Sequence, residues 1–221
     1  MTHADMLAAV QAGDLQKVKT LLAADATLAN ARGERGERAV LLAIYFRRQE
    51  VLDALLASGA EFDVFEAAAS GDRKRLTDLL DRHPSSLDGY SADGWSPLHL
   101  AAHFGHADLV DLLVARGAQV AAVSKNGTTN MPLHAALAGG KEDAAGRLLR
   151  HGADPNAAGA AGWRPLHLAA ANGLREAVSL LLDRGADPNV ANDEGRTPLA
   201  LALEKGRTEI VSLFRERGAR R

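Results

Sequence analysis

The fold class this sequence predicts is all-α: a solenoid of stacked helix pairs, about seven units counting the caps. Two observations predict it. Alanine (44) and leucine (33) fill roughly a third of the 221 residues, whereas isoleucine and valine together number only 14. Alanine and leucine are strong helix formers, and the β-branched residues that fill sheets are scarce. The second observation is self-similarity. The strings WSPLHLAAHFGH, MPLHAALAGGK, WRPLHLAAANGL and RTPLALALEKGR align on Pro97, Pro132, Pro165 and Pro198, at spacings of 35, 33 and 33 residues. A fixed period of this length marks repeated supersecondary units that bury their apolar faces only by stacking.

In chain order, unit one is LAAVQAGDLQKVKTLLAAD, unit two VLLAIYFRRQEVLDALLASGA and unit three FEAAASGDRKRLTDLLDRHP. Units four to seven follow the four proline strings. Corresponding positions fall at 13, 47, 71, 105, 140, 173 and 206, with steps of 34, 24, 34, 35, 33 and 33. Each unit reads as two helices. Ser96 and Thr197 stand where they cap a first helix, and the proline after them sits in the first turn, where its missing N–H costs nothing. That helix is about two turns long and buries Leu98, Ala101 and Ala102. The second helix carries Leu109, Val110, Leu112 and Leu113. Gly117, Gly152, Gly185 and Gly218 follow the second helices, where a left-handed cap is wanted. Asp93-Gly94, Asn126-Gly127 and Glu194-Gly195 mark tight turns between units.

The period, the S/T-P-L-H motif, the GADPN strings at 152–156 and 185–189 and the DGW and EGR turns resemble ankyrin repeats. The resemblance is strong over 90–219 and looser over 5–88. It implies helix-turn-helix pairs joined by short β-hairpin fingers, an L-shaped cross-section and a concave binding face. Some residues depart from the family pattern. The 24-residue step leaves no room for a finger near 60–65, so extended fingers are expected only from about residue 88 onward. Unit five carries extra residues at Thr128-Thr129. Met131 and Arg164 stand where the family has a hydroxyl that caps the helix and orders the following histidine.

The ends read as caps. Arg215 aligns with Val114, Leu149 and Leu182, and Ala200 aligns with His99, His134 and His167. A charge at an inter-repeat place makes sense on an end that meets water. On this reading residues 1–221 form one domain: divergent repeats over about 5–88, regular repeats over about 89–196 and a C-terminal cap over 197–221. Unit one, with Gln16, Lys17 and Lys19 on its helix, is the N-terminal cap. No room is left for a second, catalytic domain.

Composition narrows the function. There is no cysteine, which removes disulfides, thiolate metal sites and a cysteine nucleophile. The net charge of -2 argues against binding nucleic acid or anionic membrane by bulk charge. Arginines gather at 32, 35, 38, 47 and 48, and basic residues at 73–75, but residues 1–94 hold 11 basic against 15 acidic side chains. The start, MTHADMLAAVQAGD, lacks the basic n-region of a secretory signal. The longest apolar run, 39–46, is far short of the roughly 20 residues of a membrane span. The expectation is a cytoplasmic monomer.

The sequence offers no reaction chemistry. GGKED at 139–143 lacks the earlier glycine and the hydroxyl of a phosphate loop, and G-x-S-x-G is absent. His99, His103 and His106 form an H-x3-H-x2-H array that suggests a zinc pair by spacing. Against this, His99 is the repeat's own histidine and no H-E-x-x-H base is present. The expected function is therefore a non-enzymatic module, without cofactor or metal, that holds a protein partner on its concave face. The alternative is a metal- or small-ligand-binding regulatory subunit of an enzyme encoded elsewhere. The candidate contact residues are Trp95, His103, Phe104, Trp163 and Asn172, at finger and helix-end places of units four and six. The small residues Ala138 and Gly139 lie between them in unit five, leaving a dip with aromatic walls. Trp and Tyr are enriched in binding hot spots. The competing reading is that each ring packs on its neighbour.

Overall fold

The computed structural model describes residues 2–219. Among them are fourteen α-helices in seven consecutive pairs. The pairs are α1 (His3–Ala12) with α2 (Leu15–Ala24), α3 (Ala39–Tyr45) with α4 (Gln49–Ala57), and α5 (Val64–Ser70) with α6 (Arg73–Arg82). Then come α7 (Pro97–Phe104) with α8 (Ala107–Ala115), α9 (Pro132–Ala138) with α10 (Glu142–Arg150), α11 (Pro165–Asn172) with α12 (Arg175–Asp183), and α13 (Pro198–Glu204) with α14 (Thr208–Glu216). The all-α expectation holds. Ser96 and Thr197 cap α7 and α13 by accepting from the His99 and Ala200 backbone N–H groups. Asp14, Asp63 and Asp72 do the same for α2, α5 and α6.

Each pair turns between its helices through one residue with positive φ. Six of these are glycines, at 13, 71, 105, 140, 173 and 206; the seventh is Arg47, at φ 52°. The left-handed region brings a side chain's Cβ too close to the following carbonyl, which is why glycine takes this place elsewhere.

The chain divides into two compact units. One comprises the residues up to Ser86 together with Tyr90–Asp93; the other comprises Leu87–Gly89 and the residues from Gly94 on. In the first, α3 packs between α1 and α5, and α2 packs on α4. Its core holds Met6, Val18, Leu28, Val40 and Leu55. In the second, α7, α9, α11 and α13 pack in succession, as do α8, α10, α12 and α14. Ala101, Ala102, Ala135, Ala136, Ala169 and Ala170 are buried along the first row, and small side chains let those helices approach closely.

Hydrogen bonds tie neighbouring repeats at a fixed sequence distance. Asn30 donates to the Gly59 carbonyl at 3.2 Å and accepts from the Glu61 N–H at 3.0 Å. Asn156 repeats the clasp in the second unit, with Gly185 at 2.8 Å and Asp187 at 2.9 Å. The asparagine of a GADPN string thus serves the next repeat.

The fingers differ from the expectation in two ways. An antiparallel bridge joins Arg32 to Arg38, so a finger precedes residue 88, between units one and two. From residue 88 on, the fingers are tight turns closed by single backbone bonds: Ser124 to Asn130 (2.8 Å), Gly159 to Trp163 (2.7 Å) and Asn192 to Arg196 (3.0 Å). Loops this short need only one closing bond. Adjacent tips are linked by Lys125 N–H to Gly94 O, Ala160 N–H to Thr128 O and Asp193 N–H to Ala161 O. As expected from the 24-residue step, α4 runs almost directly into α5, with only 58–63 between them. Within that link the Phe62 ring lies under the Arg75 guanidinium, 4.3 Å from its carbon.

At the last repeat Arg215 and Ala200 are exposed, whereas His99, His134 and His167 are buried. Leu149 is buried as expected, but Val114 and Leu182 are only half-buried. The residue facing inward is the one before, Leu113 or Leu181, and the next one lies at the edge of the contact. Leu182→Ala should therefore cost about 1 kcal/mol rather than the full value for a buried leucine. Arg215→Ala should stay within about 0.5 kcal/mol. Denaturant melts giving the larger loss to Arg215 would show that the arginine is part of the packing.

Candidate functional site

Trp95 stands in the turn that leads into α7, directly before the cap Ser96. Its ring meets His103 edge-on at 5.0 Å and lies tilted on His99 at 5.9 Å. His103 in turn meets Phe104 edge-on at 5.2 Å. Helical spacing makes this run: positions 99 and 103 are one turn apart on a single face, and Trp95 precedes the helix on that face. Trp95, His103 and Phe104 are all half-buried. Edge-to-face contacts place the positive rim of one ring on the negative face of the next.

The other two candidates take partners of their own. Trp163 lies tilted on His167 at 5.9 Å, with the Arg196 guanidinium 5.8 Å from its ring centre. Asn172 is exposed and donates to the Leu137 carbonyl at 3.0 Å, which also accepts from the Gly140 N–H at the end of α9. Ala138 is exposed. Gly139 has a stricter reason to be small. A Cβ there would lie 2.3 Å from the His103 carbonyl oxygen, so α7 and α9 touch backbone to backbone at this point. His103 Nδ1 also reaches the Ala135 carbonyl, at 3.3 Å.

The repeat histidines are structural. His99 holds Ser96 Oγ at 2.8 Å through Nδ1 and the Asn130 carbonyl at 3.0 Å through Nε2. Met131 and Arg164 lack the hydroxyl, but their backbone N–H groups donate to His134 Nδ1 (3.3 Å) and His167 Nδ1 (3.1 Å). With Nδ1 accepting, Nε2 carries the proton and donates to Ala157 O or Arg196 O, both at 3.1 Å. Burial holds all three imidazoles below their usual range. With both its nitrogens engaged, His99 is not poised to anchor the zinc pair that its spacing with His103 suggests.

Unit three carries a feature that sequence reasoning missed. Glu66 stands three residues after the cap Asp63, the place His99 takes after Ser96. It is buried, at 0% exposure. Its Oε2 accepts from the Asp63 N–H at 2.6 Å, and Arg38 Nε lies 2.5 Å from its Oε1. Arg38 also reaches Asp63 at 3.5 Å and donates to the Glu61 carbonyl at 2.5 Å. Burial pushes the Glu66 carboxyl up to about 8, against the pull of the Arg38 guanidinium. The signal was legible: a carboxylate in the histidine register must find a cation, and Arg38 opens the preceding repeat.

The family model of ankyrin repeats, in three copies, matches residues 64–159 and 133–220, more than half of the chain. The chain belongs to the ankyrin-repeat family. Among similar proteins is the NF-kappa-B inhibitor cactus of Drosophila yakuba, 32% identical over 127 residues, which cover 55% of this chain and 26% of that protein. Neurogenic locus notch homolog protein 1 of Homo sapiens is 32% identical over 138 residues, 58% of this chain and 5% of its own length. The human NAD-capped RNA hydrolase NUDT12 is 36% identical over 67 residues, 30% of this chain and 14% of its own. The ankyrin repeats described here thus span about a quarter or less of these relatives. Among the described residues no helix is long and apolar enough to cross a membrane.

Proposed function

We propose that these ankyrin repeats hold a protein partner on the concave face of the second unit, and that they do so without catalysis, cofactor or metal. Ankyrin repeats form a protein-interaction module, and one relative, cactus, is by its name an inhibitor of NF-kappa-B. The observation that carries the reading is the half-exposed ring group of Trp95, His103 and Phe104 beside the exposed Ala138. Trp163 and Asn172 extend the same surface in unit six. Rings already packed on one another lose little side-chain freedom when a partner covers them. The protein acts as a cytoplasmic monomer in this reading.

The test is capture of a partner from native lysate, followed by a binding isotherm and a thermal melt on each variant. Trp95→Ala and His103→Ala should weaken binding by about 1–3 kcal/mol, the range of an interface anchor. Their melting curves should move little. If the rings serve packing alone, the order reverses: stability falls, and affinity measured on the folded fraction holds.

A further inference from the structure

We draw no further inference here: the strongest candidate, the cluster of buried donors at the bases of the last two fingers (Arg164 Nε, Asn192 Nδ2 and Arg196 Nε, each without a bond among the described residues), is closed off from solvent, and nothing in the structure shows what ligand would reach it.

Discussion

Replacing Arg38 by alanine should lower stability more at a pH near 9 than at a pH near 5.5, by up to about 1.4 kcal/mol, because it removes the cation beside a buried Glu66 that ionises at about 8. At a pH near 5.5 Glu66 is neutral in wild type and variant alike, so the loss there comes only from the other bonds and packing of Arg38. The sign follows from the carboxyl being pushed up to about 8 from an ordinary 4.5. The unfolded chain releases this proton near 4.5 and the folded chain holds it to about 8. Stability from this group therefore falls as pH rises between those values and is flat above them. The buried histidines act in the opposite sense. Their depressed values supply stability that is present above the usual histidine range, near 6.5, and is lost as pH falls through the folded value. That contribution is common to both proteins and cancels in the difference. Urea melts at the two pH values check the prediction, and in a Glu66→Gln background the pH dependence of the Arg38 effect should vanish. An equal loss at both pH values would show that Glu66 is ionised throughout.

Phe214→Ala should cost about 3–5 kcal/mol, the penalty for emptying a buried aromatic site. Phe214 is 0% exposed on α14, a helix that packs only on α12 and α13 among its stronger contacts. Its counterparts Leu113, Leu148 and Leu181 are equally buried, so the last repeat puts a larger side chain where the others have leucine. Phe214→Leu restores the residue of the other repeats and should cost less than about 1.5 kcal/mol. A chemical melt in which Phe214→Ala moves stability by less than the leucine variant would reject this account of the terminal repeat.

The repeat frame was legible because it rests on short-range rules. The caps Ser96 and Thr197, the prolines after them and the glycines at the turns each answer to local geometry, and all stand where the spacing puts them. Trp95 and His103 also lay within reach, since helical periodicity alone places them on one face. What remained hidden was coupling between repeats. Nothing in the GADPN string says that Asn156 will hold the backbone of the next repeat at Gly185 and Asp187. Gly139 reads as a small residue in a dip, yet its size is demanded by the His103 carbonyl across the helix contact. The finger at Arg32–Arg38 escaped notice because the divergent first repeats offer no turn motif like those of the second half.

Arg47 gives one of the seven helix turns a different character. A side chain held at φ 52° costs roughly 1–2 kcal/mol that the glycines at the six equivalent turns do not incur. That strain is released when the turn opens, so the amides around Phe46–Arg48 should exchange with solvent faster than those of the Gly105 or Gly173 turns. One substitution, Arg47→Gly, should therefore harden the protein without touching its core.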